Sequence, residues 1–294
     1  MTERPLFSSM HTHTSFCDGD DDVETMCRAA YDKNLFALGF SAHAPVERQI
    51  DRENGCELKE ILVNQYVAEV LAAKERWKGK LRIFLGYEVD FVKGRRSALD
   101  SDITSLNLDY IIGAVHYLYP ENGARPFAVD GFTEDFEKGL REGFGGSAEK
   151  LMHKYYDALL DMIQTGGFDI VAHADIYKKN CQNKYFWPQE TESRRQREAA
   201  LAVKKAGLAV EVNTGGINRK KTFDVYPSLS FLRIMHEYDI PVIITADAHC
   251  AKDLDGNYDI ALQTLILADF KEHVLFSGKS CGKSVWIKEK IIKN

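Results

Sequence analysis

Two histidines one residue apart, His11 and His13, open a series of imidazoles and carboxylates that runs almost to the end of this 294-residue chain. Asp18 follows them, then His43, Glu88 and Asp90, His116, His173 and Asp175, and finally Asp247 and His249. Such side chains hold divalent cations, and mixed imidazole and carboxylate ligation suits zinc, iron or manganese better than calcium or magnesium. Each has an ordinary explanation when taken alone. A lone His-x-His is usually a surface or core pair, His43 or His116 can be a hydrogen-bonded core histidine, and Glu88 or Asp90 can pair with Arg95 or Arg96. Their positions carry the information.

Each group closes one of seven short apolar runs, at 6–13, 37–43, 83–91, 110–117, 169–175, 209–214 and 241–249. Brevity and β-branched or aromatic content make these runs strands. Helix-like stretches at 23–34, 57–77, 148–164, 190–205 and 228–238 separate them. Strand alternating with helix predicts a parallel sheet wrapped by helices, and seven such units predict a distorted (β/α)7 TIM-like barrel. The C-terminal ends of parallel barrel strands share one rim, so a metal site is expected there. Side chains alternate along a strand, which aims His11 with His13 and Asp247 with His249 at the same face. Six of the nine histidines close these runs. His153, His236 and His273 do not, and read as structural or solvated. Carboxylates and imidazoles gathered so densely repel or stay unpaired unless cations join them. Cys17 and Cys250 flank the presumed ligands and read as small buried side chains rather than ligands.

Composition bounds the alternatives. With 45% hydrophobic residues and a net charge of −6, one core-bearing domain over 1–294 is expected and no nucleic-acid partner. No apolar run is long enough to span a membrane, and the opening residues lack the apolar stretch of a signal peptide. Six scattered cysteines with no Cys-x-x-Cys pair fit a reducing cytoplasm. Residues 119–146 break the rhythm after the fourth strand, and their aromatics and Phe-Ala-Val patch predict an ordered flap over the site. The oligomeric state stays open.

The opening His11-Thr-His13-Thr-Ser-Phe-Cys-Asp18-Gly resembles the first motif of the polymerase and histidinol phosphatase (PHP) superfamily. Ser41-Ala-His43, Gly86-Tyr-Glu88-Val-Asp90, Gly113-Ala-Val-His116, Ala172-His173-Ala-Asp175 and Ala246-Asp247-Ala-His249 follow in that family's order. Glu211-Val-Asn213-Thr214-Gly-Gly-Ile-Asn-Arg219, then Tyr226-Pro227-Ser228, and the flap segment Phe127-Ala-Val-Asp130-Gly resemble stretches of its stand-alone histidinol-phosphatases. The resemblance implies two or three divalent ions. One would take His11, His13, Glu88 and Asp247; a second would share Glu88 and add His116 and His173; a third would use Asp18, His43 and His249. Some relatives carry a histidine where this chain has Asp18.

The implied activity is hydrolysis of L-histidinol phosphate, a step of histidine biosynthesis, by a hydroxide bridging two metals. Arg219 is the candidate for bidentate contact to phosphate, Lys178 a weaker one, and Asp247 or His249 the candidate proton donor to the leaving group. Asn213 and Tyr117 are further candidates for substrate contact, and Asp90, Asp175, Phe16 and Tyr177 for walls around the histidinol moiety. Rival readings are another phosphoesterase or phosphodiesterase of the superfamily acting on a small phosphate ester or nucleotide, an amidohydrolase-like metalloenzyme, and a non-catalytic metal-stabilised binding protein. The acidic flap disfavours a nucleic-acid groove, and the extra ligands Asp18 and Glu88 with the closing Asp-x-His favour the phosphoesterase.

Overall fold

The computed structural model describes residues 6–46, 56, 58–181 and 184–291. The N-terminal half holds β1 (Ser8–Ser9), α1 (Val23–Asp32), β2 (Ala37–His43), α2 (Val63–Arg76), β3 (Arg82–Asp90), α3 (Ser101–Thr104) and β4 (Tyr110–Ala114). A small hairpin of β5 (Tyr117–Leu118) and β6 (Phe127–Ala128) follows, then α4 (Thr133–Phe144), α5 (Ala148–Thr165) and β7 (Ile170–Val171). The chain continues through α6 (Gln189–Ala206), β8 (Ala209–Asn213), α7 (Gly215–Asn218), α8 (Leu229–Glu237), β9 (Val242–Thr245) and α9 (Tyr258–Leu267). It ends in β10 (Glu272–Ser280) and β11 (Lys283–Lys290).

Seven strands form one parallel sheet in the order β1-β2-β3-β4-β7-β8-β9, as the alternation of runs and helices predicts. Its two ends approach one another just past β1 and β9. There Thr12 bridges Ala248 in parallel, His13 N–H donates to the Ala248 carbonyl at 2.8 Å, and Ala248 N–H donates to the His11 carbonyl at 3.0 Å. The barrel is therefore drawn together at its C-terminal rim, by the two segments that carry the first and last candidate ligands.

Alternation along the strands sorts the core into two parts. Leu38, Phe40, Leu85, Tyr87, Val89, Val210, Val212, Val242 and Ile244 point outward under the helices. Met10, Tyr110, Ile112, Ala114, Ile170, Ala172 and Ile243 fill the interior. Gly39 and Gly86 make room for the Tyr110 ring, since a Cβ at either would sit 2.5 Å from it. The Tyr110 hydroxyl donates to the Met10 carbonyl at 2.6 Å. Phe276 and Val274 of β10 join this interior cluster from the hairpin.

The C-terminal hairpin and α9 were absent from the sequence reading. So were the short helices α3 and α7; the five expected helices agree within a few residues, although α2 begins six residues after the start of the 57–77 stretch, whose first residue lies outside the described residues, with a 3-10 turn at Glu60–Leu62 before it. The 119–146 excursion is a strand and a helix rather than a loop: β6 pairs with β5, and α4 packs Gly139 so closely on Phe127 that a Cβ there would lie 2.3 Å from the ring.

Candidate metal centre

The strand ladders stop short of most of the expected ligands. His43, Glu88 and Asp90 lie within β2 and β3, with His43 in register beside Glu88. His11, His13, His116, His173, Asp247 and His249 lie two to four residues beyond the ends of their strands. Freed from the ladder, the backbone can turn each side chain toward the common axis. Asp247 takes φ +48°, a left-handed conformation that Asp tolerates better than a branched residue. Gly215 leaves it space, since a Cβ there would lie 2.8 Å from the Asp247 carboxylate and 3.0 Å from Arg219 Nη2.

All nine expected ligands come together. His11, His13 and Glu88 form one compact group of donor atoms, Glu88, His116 and His173 a second, and His13, Asp18, His43 and His249 a third. His43, Asp90 and His116 form a further group. Glu88 is shared: its Oε2 lies 3.0 Å from His11 Nε2 and 3.0 Å from His43 Nδ1, and its Oε1 3.1 Å from His173 Nε2. Asp247 Oδ1 stands 3.4 Å from His13 Nε2 and 3.8 Å from His11 Nε2. On the open side His249 Nε2 lies 3.1 Å from Asp18 Oδ2.

Four donor atoms aimed into this centre, His11 Nε2, His13 Nε2, Asp18 Oδ1 and Glu88 Oε2, are buried without a hydrogen-bond partner. An unsatisfied buried polar group costs about 1–3 kcal/mol, so four of them within two adjoining donor groups fit divalent cations. The reverse sides of the rings agree. His11 Nδ1 is 2.8 Å from Glu211 Oε2, and His116 Nδ1 is 2.5 Å from Asp90 Oδ1. A carboxylate that takes the Nδ1 proton leaves the Nε2 lone pair free for a metal. His249 Nδ1 lies 3.0 Å from both the Asp247 carbonyl and Arg219 Nη1, donating to the first when protonated and accepting from the second when not.

Charge coupling is correspondingly strong. Burial opposes protonation of His11, but Glu88, Glu211 and Asp247 overcome it and raise its pKa well above the usual range. His13 goes the other way, to about 4, through burial and the neighbouring His249 and His43. Burial pushes the Cys17 thiol up to about 12 and Cys250 to about 11, and Cys250 donates to Asp253. Both are half-buried rather than the fully buried side chains expected of them.

Above the donors opens a cleft of about 530 Å³, lined by Asp18, His43, Glu88, Asp90, His116, Asp247 and His249. Tyr117 and Arg219 line it too, as do Ala128, Asp130, Phe132 and Glu134 of the flap region. Arg219 Nη2 donates to Asp247 Oδ2 at 2.9 Å and Nη1 to the Asp247 carbonyl at 3.0 Å.

Five expected contacts lie elsewhere. Lys178 Nζ is held by Glu192 at 2.7 Å and Asp175 at 3.0 Å behind the cleft, so it is Lys179 that faces the opening. Asp175 is buried, bonding the Ser228 hydroxyl and amide. Tyr177 packs on Tyr155 and Trp187 and donates its hydroxyl to Glu192 at 2.6 Å. Phe16 packs against Tyr66. Asn213 is buried beneath the donors, where its amide bonds Glu211 at 2.8 Å and approaches Asp247 at 3.4 Å. All five sit on outward-facing or underlying positions, which strand-end placement alone does not reveal.

Two residues went unrecognised as site residues. Glu211 supports the centre from below; alternation with Asn213 on β8 was the available signal. Asp130 faces the cleft from the flap. His273 is buried, not solvated, and stacks on Phe7 at 5.7 Å.

Known proteins resemble this chain. A Deinococcus radiodurans protein named "Probable histidinol-phosphatase" is 30% identical over 240 residues, covering 81% of this chain and 85% of its own. The histidinol-phosphatase of Bacillus subtilis is 23% identical, covering 86% and 97%. The solved histidinol phosphate phosphatase of Lactococcus lactis, complexed with zinc, L-histidinol and phosphate, shares the fold at TM-score 0.66 and 19% identity, over 95% of this chain and 98% of that one. The PHP domain pattern matches residues 9–215. On that match, and on the relative at 30% identity, the chain belongs to the PHP domain family.

Proposed function

We propose that this chain is a metal-dependent phosphomonoesterase hydrolysing L-histidinol phosphate to L-histidinol and phosphate. The observation that carries the reading is the convergence of nine imidazole and carboxylate donors, four with unpartnered buried atoms, beneath a cleft that also presents Arg219. The relatives named histidinol-phosphatase support the choice of substrate.

Two or three divalent ions would be held, drawn from zinc, iron and manganese. His11, His13, Glu88 and Asp247 would hold the first, Glu88, His116 and His173 the second, and Asp18, His43 and His249 the third. When bound, such ions lower the pKa of water to roughly 7 and neutralise charge on the phosphoryl group. The chain's own residues do the rest. Glu211 and Asp90 fix the tautomers of His11 and His116. Arg219, anchored through Asp247, presents a planar cation to the phosphate oxygens. The same anchor brings Arg219 Nη1 within 3.0 Å of His249 Nδ1, so phosphate binding and the position of His249 are coupled. His249, at the cleft surface, would pass a proton to the leaving alkoxide; Asp247, which Arg219 and His11 keep ionised, would do so only by way of a bound water. Ala128, Asp130, Phe132 and Glu134 of the flap help to line the cleft.

The test is phosphate release from L-histidinol phosphate beside a panel of phosphomonoesters and one diester, with chelation and metal restoration. Preference for histidinol phosphate, lost on chelation and regained with zinc or manganese, is expected. Turnover of other esters but not of this one would refute the substrate while leaving the metal centre.

A further inference from the structure

Of the nine candidate donors, Asp247 alone takes a left-handed backbone, at φ +48°. An L-residue stays there only where its surroundings hold it. The conformation matters because it sends Oδ1 toward His13 Nε2 at 3.4 Å and His11 Nε2 at 3.8 Å, and Oδ2 toward Arg219. The carbonyls on both sides of this backbone turn are gripped. Arg219 Nη1 donates to the Asp247 carbonyl at 3.0 Å, and Asn218 Nδ2 donates to the Ala246 carbonyl at 3.2 Å. Two consecutive residues thus hold two consecutive carbonyls, with the left-handed residue between them.

Asn218 is itself held on every side. It ends α7, where its N–H donates to the Thr214 carbonyl at 3.0 Å. A carbonyl can only accept, so the side-chain amide turns its NH2 to Ala246 and its oxygen away. That oxygen accepts from Asn257 Nδ2 at 2.6 Å. Gly256 permits the approach, since a Cβ there would lie 2.5 Å from Asn218 Oδ1. The turn beneath is anchored in its own right. The Thr214 hydroxyl donates to the Gly256 carbonyl at 2.7 Å, and Lys33 at the end of α1 pairs with Asp255. The Asn218 donor is therefore ordered before any ligand arrives, and the cost of ordering it falls on folding rather than on binding.

We infer that Asn218 is a positioning residue, which by holding the Ala246 carbonyl keeps Asp247 in the backbone conformation that aims its carboxylate at the metal centre. This rests on the metal-dependent reading above and deepens it. Without the Asn218 donor the peptide between Ala246 and Asp247 is free to rotate. Asp247 then relaxes toward the right-handed region, and Oδ1 leaves His11 and His13. Arg219, the next residue along, loses its register on Asp247 with it.

The experiment compares zinc and manganese affinity, by competition with a chromophoric chelator, for wild type, Asn218→Asp, Asn218→Ala and Asn257→Gly. Thermal unfolding of each metal-free protein accompanies it. Asn218→Asp keeps an acceptor for Asn257 but sets an oxygen against the Ala246 carbonyl. Its added negative charge by itself favours a nearby cation, so a weaker affinity has to come from geometry. A loss of about 10-fold is expected for both Asn218 variants. Asn257→Gly suits the φ of +56° and leaves the Asn218 donor in place, so it should stay close to wild type. At saturating metal, KM for whichever phosphomonoester wild type hydrolyses should rise in Asn218→Asp more than kcat falls, because Arg219 follows Asn218 in the chain. Lower thermal stability with wild-type metal affinity would reduce Asn218 to a structural residue and overturn the inference. So would an equal loss in Asn257→Gly, failure of both Asn218 variants to fold, or a wild type that holds neither metal. A wild type that binds metal yet hydrolyses no phosphomonoester refutes the function proposed above, while the affinities still decide the role of Asn218.

Discussion

Replacing Glu211 by Gln keeps shape and volume and removes only charge and acceptor capacity, so its outcome can be worked from the hydrogen bonds. Oε1 accepts from His173 N–H at 2.8 Å and Asn213 Nδ2 at 2.8 Å. Oε2 accepts from His11 Nδ1 at 2.8 Å and the Thr245 hydroxyl at 2.9 Å. Glutamine offers one oxygen and one NH2, so one pair of donors must face a donor. The His173 amide cannot change its role. The Thr245 hydroxyl can rotate to accept, and His11 can shift its proton. The amide nitrogen therefore settles at the Oε2 position, and His11 is driven to carry hydrogen on Nε2. That is the atom turned toward Glu88 and the metal centre. Loss of such a supporting partner costs about 10- to 100-fold in metal affinity, or roughly 1.4–2.7 kcal/mol. Competition against a chromophoric chelator, with thermal unfolding to show that the variant folds, measures it. A folded Glu211→Gln protein that binds zinc or manganese as tightly as wild type would refute the tautomer argument.

Arg219→Ala should lower kcat/KM for the preferred phosphomonoester about 100-fold, and Arg219→Lys should recover only part, because one ammonium does not reproduce the planar fork; steady-state kinetics decide. Lys178→Met should leave KM for the substrate near wild type but cost about 3 kcal/mol in urea unfolding, since it strands Asp175 and Glu192; a large KM effect would return Lys178 to the cleft. Burial lowers the His273 pKa to about 4 from the ordinary 6.5. A depressed folded-state value favours the neutral ring, so its contribution is complete above pH 6.5 and declines as pH falls toward 4. Against His273→Phe, wild type should lose about 2 kcal/mol more between pH 7.5 and pH 5; parallel pH profiles in urea titrations would reject this.

The convergence of the candidate donors was legible because a metal-binding pattern constrains residue type, order and strand-end position at once. Seven apolar runs each closing on imidazole, carboxylate or, at Asn213, an amide leave few other readings, and all seven strands form. Substrate contacts were less legible for a geometric reason. Lys178 and Lys179 are adjacent in a 3-10 turn, Ile176–Asn180, and one residue of rotation decides which ammonium meets the cleft and which meets Glu192. Sequence carries no marker for that phase. The C-terminal hairpin did carry one. Cys281 and Gly282 both take positive φ, 49° and 75°, at the centre of the turn joining β10 to β11, where a two-residue hairpin loop favours glycine. The alternation on either side of Cys281-Gly282 was the cue.

The protonation pattern favours cations over protons as the groups that would complete this centre. Five imidazoles stand 3.0 to 3.6 Å from the oxygens of the single carboxylate Glu88. One carboxylate cannot satisfy five partners, and the rings respond unequally. His11 retains its proton because Glu88, Glu211 and Asp247 surround it, while His13 gives its proton up at about pH 4 because burial, His249 and His43 oppose the charge. Protons alone therefore leave a charged His11 with its centroid 5.1 Å from a neutral His13 whose buried Nε2 has no partner. A divalent ion, if bound, would use the lone pair that His13 already offers and replace the proton on His11, so loading would release acid and weaken as pH falls. The same substitution draws Glu88 and Asp247 onto a doubly charged partner. One exchange thereby satisfies the two carboxylates and the two rings that no arrangement of protons can satisfy together.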